Sequence, residues 1–323
     1  MSRPIHGELD PAFAGLERVF SAHLEVGLDV GFGFSLYHRG RAVADLWAGY
    51  TDRARTRPWT EHTLVPLTSI TKTVLSATVL CLAESGVIDL DAPVARYWPA
   101  FAAHGKNGVT VAQVLSHQAG IPFFPDPLRL EDELAWTPIV RQIESLSPIW
   151  PPGCAHGYHA IVLGFLLFEL LHRVTEREVD ALVRELITEP FALDLHLALD
   201  ERDRTRVAEV IPRADDRAPI SPPPELRDYV AGFSDHSTLL YRATFGSTAM
   251  TDDDVNDARY HLARRPAAYA TASATARFFA AMISPLEGRR LLSPETVATL
   301  VAGRASGLDR VFCVPTRFSL GFM

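Results

Sequence analysis

One apolar segment, residues 67–86, constrains the fold more than any other part of the chain. Its apolar residues recur at the three- and four-residue intervals of a helix face, and Gly86 suits the left-handed residue that ends many helices. Ser69 stands where this pattern begins, so we predict a helix that starts at Ser69 and ends before Gly86. The free N–H groups and the positive dipole end of such a helix would surround the Ser69 hydroxyl and favour a developing oxyanion.

Lysine is rare in this sequence: 31 residues are Lys or Arg, and the lysines among them are Lys72 and Lys106. Arginine stays protonated in proteins, whereas a buried lysine can lose its proton and act as a base. In Ser69-Ile70-Thr71-Lys72, the three-residue spacing puts Lys72 on the same helix face as Ser69. Ser69 is therefore a candidate nucleophile and Lys72 its candidate proton acceptor. On spacing alone, an N-cap serine followed by a solvated lysine remains an alternative.

The composition predicts an acidic globular protein. The chain has 323 residues, of which 47% are hydrophobic, and this is enough to form a full core. Its formal net charge is −8, which disfavours nucleic acid as a partner. The scattered residues Cys81, Cys154 and Cys313 form no disulfide framework and fit a reducing compartment. The longest apolar stretch, residues 160–168, is too short to cross a bilayer, and the first ten residues lack a signal-peptide core. We expect a cytoplasmic protein that does not span a membrane.

Periodicity and turn residues predict a hairpin followed by a largely helical chain. Two strand-like runs at residues 30–38 and 42–47 flank the turn Arg39-Gly40-Arg41, which predicts a β-hairpin. Helices are predicted at residues 9–27, 69–85, 110–117, 159–174, 178–188 and 272–283. A proline-rich stretch at residues 212–228 predicts a loop.

A second constellation surrounds Tyr158, which lies on a Gly- and Pro-rich loop just before the apolar helix. A helix N-terminus can stabilise a phenolate, and a phenol beside a lysine can relay a proton. On position alone, a packed tyrosine whose hydroxyl caps a neighbour is the favoured explanation.

A metal site is a competing hypothesis, because Cys154, His156 and His159 are all ligand types. Their spacing has no second cluster nearby, and structural zinc needs four ligands, so we predict no metal and no cofactor. His104 and His117 are expected to be surface or core residues. The sequence also lacks the G-x-S-x-G nucleophile elbow, a P-loop and a G-x-G-x-x-G motif.

Taken in order, these features resemble the serine β-lactamase-like, penicillin-recognising family, in its class C and esterase branch. The resemblance rests on the hairpin with Gly40, the Ser69-Ile70-Thr71-Lys72 motif, residues 85–91, Pro93-Val94, residues 114–122, Pro152-Gly153 with Tyr158, Glu189-Pro190 and residues 291–295.

The resemblance implies an α+β fold, with an antiparallel sheet flanked by helices and an all-helical lobe. It implies a single catalytic domain over residues 1–323, whose sheet lobe takes residues 1–68 and 270–323 and whose helical lobe takes 69–269. It further implies that Ser69 is acylated, that Lys72 is its proton partner, and that Tyr158 is the general base. The Ser69 N–H and an N–H from a C-terminal strand would form the oxyanion hole.

Two departures from the family pattern bear on function. Ala160 stands where β-lactamases carry the Asn of a Tyr-x-Asn motif, which helps to hold the side-chain amide of a lactam, so esters are favoured over β-lactams. The family's third motif, a Lys, His or Trp before small residues and Gly, has no candidate after residue 290, and residues 317–323 look like a strand that reaches the last residue. We therefore expect a C-terminally truncated chain, with an open groove beside Ser69 and weak activity.

The sequence thus predicts a serine hydrolase that acts through an acyl-enzyme on a small ester or amide, most simply a carboxylesterase. A β-lactamase, D-amino-peptidase or acyltransferase of the same family, and an inactive truncated relative, are the alternatives.

Overall fold

The computed structural model describes residues 4–212, 222–263 and 265–323, and shows helices packed around small antiparallel sheets. The strands are β1 His6–Leu9, β2 Gly31–His38, β3 Arg41–Gly49, β4 Val65–Pro66, β5 Leu195–His196, β6 Tyr269–Ala270, β7 Ala305–Leu308 and β8 Pro315–Phe318. The helices are α1 Gly15–Glu25, α2 Ile70–Glu84, α3 Val111–Leu115, α4 Leu130–Ala135, α5 Thr137–Ser145, α6 Val162–Thr175, α7 Val179–Val183, α8 Glu201–Arg204, α9 Arg227–Gly232, α10 Leu239–Ala243, α11 Asp252–Asn256, α12 Ala258–Leu262, α13 Ala272–Ile283 and α14 Pro294–Ala302. The predicted α+β class with antiparallel sheets is confirmed.

The N-terminal sheet has the order β1-β3-β2, and both pairings are antiparallel. The hairpin is confirmed: His38 pairs with Arg41 across a two-residue turn in which Arg39 and Gly40 have φ values of 52° and 75°. Positive φ at both positions matches the twist of the strands. Helix α13 packs against β2 and confirms the helix predicted there.

The helix predicted at residues 9–27 is wrong at its start. Residues 6–9 form β1, and α1 begins at Gly15 after a short 3₁₀ turn. Strand β1 needs a partner to form, since β3 supplies its backbone hydrogen bonds. Close approach of the two strands requires Gly7, where an added Cβ would lie 1.9 Å from the Asp45 carbonyl oxygen.

Helix α2 forms the centre of the main hydrophobic core and confirms the helix predicted from the apolar segment. Val74, Leu75, Ala77 and Val79 are fully buried, and α6 packs against α2. A helix that is apolar on most sides is stable only when it is enclosed. Replacing Leu75 by alanine would cost about 2–5 kcal/mol, so the core holds the start of α2 in a fixed position.

A second, small sheet of order β4-β6-β5 fixes the approach to α2. Strand β4 ends at Pro66, and the next N–H, that of Leu67, donates to the Ala268 carbonyl at 2.8 Å. The Thr71 hydroxyl accepts a hydrogen bond from the Ala268 N–H at 2.9 Å. The residues between β4 and α2 are therefore anchored on both sides of Ser69.

The C-terminal hairpin of β7 and β8 ends differently from the prediction. The strand expected to continue to residue 323 ends at Phe318, and the Ser319 N–H donates to the Phe322 carbonyl in a turn. Gly321 has a φ of 88°, its N–H donates to the Leu115 carbonyl, and an added Cβ would lie 2.0 Å from the Ser76 Oγ. This turn thus contacts α2 so closely that only glycine fits.

The proline-rich loop predicted at residues 212–228 is described only in part, since residues 213–221 lie outside the described residues. Of the rest, residues 224–226 form a 3₁₀ turn and α9 begins at Arg227, so the loop ends earlier than predicted.

Lys106 is fully buried and serves the structure. Its ammonium donates to the carbonyls of Ala103 and Glu144 at 2.9 Å each and also to the Leu146 carbonyl. Three acceptors around one nitrogen match the three donors of an ammonium. A planar guanidinium does not fit this arrangement, which explains why lysine is retained here in an arginine-rich chain.

Cys81, Cys154 and Cys313 carry free thiols, as expected. In the part of the chain that the structure describes, every helix is too short or too polar to cross a bilayer.

Candidate active site

Ser69 occupies the N-cap position of α2, directly after a sharp change in chain direction, and its side chain makes no capping hydrogen bond. Thr68 has a φ of 44°, which is uncommon for a β-branched residue and costs about 1–3 kcal/mol. Ser69 has helical angles, yet its N–H has no acceptor among the described residues. That N–H is free to bind a substrate oxygen at the positive end of the helix.

The structure brings the three predicted site residues together. The Lys72 Nζ and the Tyr158 hydroxyl each lie 2.9 Å from the Ser69 Oγ, and both donate to it. The Lys72 Nζ also lies 5.4 Å from the centroid of the Tyr158 ring. A hydroxyl that accepts two hydrogen bonds cannot pass on its own proton until one neighbour becomes an acceptor.

The pKa values indicate which neighbour deprotonates first. Burial lowers the pKa of the Lys72 ammonium from 10.5 to about 8. Burial raises the pKa of the Tyr158 phenol, and its hydrogen bond to Ser69 offsets only part of the rise. The loop position predicted a stabilised phenolate, and burial of the ring has the opposite effect. Lys72 therefore becomes neutral while Tyr158 still holds its proton.

The loop that carries Tyr158 is fixed by Asp309, which sequence reasoning missed. The buried Asp309 carboxylate accepts the Tyr158 N–H at 3.3 and 3.2 Å and the N–H groups of Val311 and Phe312 at 2.7 Å each. It also accepts the hydroxyl proton of Thr316 at 3.3 Å. Asp309 lies 151 positions beyond Tyr158 on the link between β7 and β8, so no local pattern could have indicated it.

Two aromatic rings hold the Tyr158 side chain. Phe318 stacks on it with 7° between the ring planes, and Phe312 lies 4.9 Å away between centroids. The C-terminal hairpin therefore positions both the backbone and the ring of Tyr158.

His117 is a core histidine, in agreement with the expectation of a surface or core residue, but its contact with Tyr158 was not predicted. It is buried, and its ring lies 5.0 Å from that of Tyr158. Its Nδ1 accepts the His159 N–H at 3.0 Å, so the proton of the neutral ring is on Nε2. Burial lowers the pKa of His117 well below 6.5, and the nearby His159, Lys72 and His156 act in the same direction. The ring thus stays neutral beside Lys72. The only sequence signal for it was its place in residues 114–122.

The alternative metal ligands have other roles. His159 bonds the Gly157 carbonyl through Nδ1 and accepts the Ile121 N–H through Nε2, so both nitrogens are engaged. His156 bonds the Thr316 hydroxyl, and Cys154 is exposed. Among the described residues, no group of three or more His, Cys, Asp and Glu side chains is arranged to hold a metal ion.

Comparison with known proteins identifies the family that shares these features. The sequence matches the family described as Beta-lactamase over residues 17–323. The chain belongs to the β-lactamase family. Membership makes it a serine hydrolase and confirms the resemblance seen in the sequence.

Several relatives in this family are esterases by name. The chain is 33% identical to the esterase/beta-lactamase LipL of Mycobacterium tuberculosis over 332 residues, which cover 99% of this chain and 75% of LipL. It is 29% identical to the esterase EstB of Burkholderia gladioli, over 50% of this chain and 43% of EstB. A solved family VIII carboxylesterase superposes with a TM-score of 0.84 at 32% identity, covering 98% of this chain and 82% of that one.

Two cavities of this β-lactamase-family chain meet at Ser69 and Lys72. The smaller cavity, of about 300 Å³, lies against the C-terminal hairpin and includes Tyr158 and Phe318. The larger, of about 480 Å³, extends past Ala160 to the buried residues Glu133 and Arg265; we call it the Arg265 cavity. A nucleophile between two cavities can receive the two halves of a substrate on either side.

Proposed function

We propose that this protein is a carboxylesterase that works through an acyl-enzyme on Ser69. The observation that carries the proposal is the placement of two proton-transfer groups, the Lys72 Nζ and the Tyr158 hydroxyl, each 2.9 Å from the Ser69 Oγ. The pKa of Lys72, lowered to about 8, makes the lysine an effective base near neutral pH.

Acylation follows from these contacts. Neutral Lys72 takes the Ser69 hydroxyl proton, and Oγ forms a bond to the ester carbonyl carbon while the carbonyl π pair moves to oxygen. The Ser69 N–H binds that oxyanion. When the intermediate collapses, the bond to the alcohol oxygen breaks, Tyr158 gives that oxygen its proton, and the Lys72 ammonium restores the phenol. Tyr158 thus acts here as a proton relay.

Deacylation uses the same groups with water in place of serine. Neutral Lys72 accepts a proton from water, directly or through Tyr158, and the hydroxide attacks the acyl carbonyl carbon. Collapse of this second intermediate breaks the bond to the Ser69 Oγ, which recovers a proton from the Lys72 ammonium. The acid leaves, and the enzyme returns to its starting protonation state.

An ester is favoured over a β-lactam by the residue two positions after Tyr158. Ala160 has no amide with which to hold the side chain of a lactam, and its small side chain opens the Arg265 cavity. The names of EstB and the family VIII carboxylesterase support the same choice, whereas the name of LipL includes both activities.

Parallel assays with p-nitrophenyl butyrate and nitrocefin test the proposal. We expect a burst of nitrophenol from the ester and at most slow turnover of nitrocefin. A fluorophosphonate probe should label Ser69, and Ser69→Ala should lose label and about 10⁴-fold or more in kcat. Label on another serine, or faster turnover of nitrocefin than of the ester, would contradict the proposal. A correctly folded protein silent in both assays and unlabelled would identify an inactive relative.

A further inference from the structure

The lining of the Arg265 cavity includes a buried ion pair that the proposed chemistry does not use. Arg265 and Glu133 are each 4% exposed in their side chains, and the Arg265 Nη2 contacts the Glu133 Oε2. Burial raises the pKa of Glu133, and Arg265 opposes part of that rise. Desolvating two charges costs several kcal/mol per ion, so a buried pair is a poor means of stabilising a fold. Its position in a cavity that reaches Ser69 suggests a role in binding.

Arg265 also has N–H donors that make no hydrogen bond to the described residues. Its Nε and Nη1 are buried and have no hydrogen-bond partner among the described residues. The guanidinium carbon lies 3.4 Å from the centroid of the Tyr260 ring, so stacking fixes the plane of the group. Each buried donor without an acceptor costs about 1–3 kcal/mol. A ligand that brings an acceptor oxygen to this place would recover that cost.

The rest of the cavity is mainly apolar and would hold a carbon chain. Its wall includes Ile161, Phe165, Phe245 and Met250. A chain that starts at the Ser69 Oγ and enters this cavity shares it with these apolar side chains and with Arg265. Ala160 lines the same cavity as Ser69, at the position where the family pattern implies contact with the acyl part of a substrate.

The charge of the pair determines which acceptor fits. Glu133 already balances the charge of Arg265, so a substrate carboxylate would add a second negative charge close to Glu133. A ketone or amide carbonyl brings an acceptor without a charge and meets no such repulsion.

We propose that Arg265 is a specificity-determining residue that selects esters whose acyl chain carries a neutral carbonyl oxygen at its far end. The inference rests on the proposed carboxylesterase function and adds a substrate class to it. Arg265 does not touch the reacting atoms, and its effect is confined to recognition of the acyl chain.

Matched ester pairs test this proposal. The p-nitrophenyl esters of 4-oxopentanoic, 5-oxohexanoic and 7-oxooctanoic acid are each compared with the alkanoate of equal length. At one chain length we expect the keto ester to have a kcat/KM about tenfold or more above that of the matching alkanoate. A factor of this size corresponds to the contribution of one hydrogen bond to a charged donor. The double variant Arg265→Met/Glu133→Gln removes both charges of the pair, so no unpaired charge stays buried. In this variant the ratio of kcat/KM for the keto ester to kcat/KM for the alkanoate should fall to about one. The exposed ion pair Arg177–Glu185 supplies the control, Arg177→Met/Glu185→Gln, whose ratio should match wild type.

A single substitution gives a gain of function that does not depend on the double variant folding. Glu133→Gln removes the negative charge and keeps Arg265, so the p-nitrophenyl monoester of glutaric acid should improve about tenfold relative to the keto ester.

The proposal is overturned if no chain length favours the ketone, if the preference survives in the double variant, or if Glu133→Gln fails to improve the carboxylate ester. A preference seen only when the ketone is in the alcohol half would also overturn the acyl assignment. These results differ from a failure of the proposed function, in which no ester would be hydrolysed and Ser69 would stay unlabelled.

Discussion

The dependence of acylation on pH follows directly from the environment of Lys72. If neutral Lys72 is the base, the rate follows the neutral fraction of its side chain. With a pKa of about 8, that fraction is about one tenth at pH 7 and about one hundredth at pH 6. An ordinary lysine with a pKa of 10.5 would be neutral in roughly 3 of 10⁴ molecules at pH 7. Burial thus increases the competent population by roughly two to three orders of magnitude.

Single-turnover acylation with a p-nitrophenyl ester measures this effect between pH 5.5 and 9.5. Ser69→Ala provides the blank for spontaneous ester hydrolysis. We expect kcat/KM to rise about tenfold per pH unit below pH 7.5 and to level off above about pH 9. Lys72→Arg keeps a positive charge and cannot become neutral, so it should lose about 10³-fold or more at every pH.

Three outcomes would refute the reasoning. A flat profile between pH 6 and 9 would mean that no group with the expected pKa controls acylation. A rate that still rises about tenfold per pH unit at pH 9.5 would show that burial does not lower the pKa of Lys72 enough to matter. More than about a tenth of wild-type acylation in Lys72→Arg would remove the lysine from the role of base.

Three further substitutions separate chemistry from structure. Tyr158→Phe keeps the ring between its aromatic neighbours and removes the hydroxyl that relays the proton. We expect kcat/KM to fall about 10²-fold or more while the melting temperature stays close to wild type. A loss of only a few-fold in kcat/KM would mean that the hydroxyl is structural. Asp309→Asn weakens the acceptor for the Tyr158 N–H, so the free energy of unfolding measured in urea should fall by about 1–3 kcal/mol. We also expect kcat to fall while KM changes little. A normal kcat would reject the positioning role of Asp309. Lys106→Met leaves three carbonyls without a donor, so the free energy of unfolding measured in urea should fall by about 2–5 kcal/mol. The kcat per folded molecule should stay normal. Unchanged stability would contradict the structural role of Lys106.

The features that could be predicted from the sequence are those encoded by neighbouring residues. Helix α2 follows from a helical repeat of apolar residues, and the Ser69–Lys72 contact follows from a three-residue spacing on that helix. The hairpin follows from two strand-like runs around Gly40. Tyr158 could be selected only through the family resemblance, because a tyrosine before a helix usually has no catalytic role.

The features that were missed depend on contacts between distant residues. Strand β1 forms because it pairs with β3 through backbone hydrogen bonds, although its own four residues have no strand pattern. Asp309 gains its role from a loop 151 positions away. The Arg265–Glu133 pair joins residues 132 positions apart in sequence. Such contacts arise only when the whole core packs.

The locations of the two lysines affect how the protein can be modified chemically. Lys106 is sealed inside the protein with its three donors engaged, whereas Lys72 opens onto both cavities at Ser69. An amine must be neutral to attack an acylating reagent, and Lys72 has the pKa of about 8 that permits this in mild buffer. Lysine-directed labels, crosslinkers and coupling resins, which normally attach to a protein's surface, would therefore modify the proposed catalytic centre.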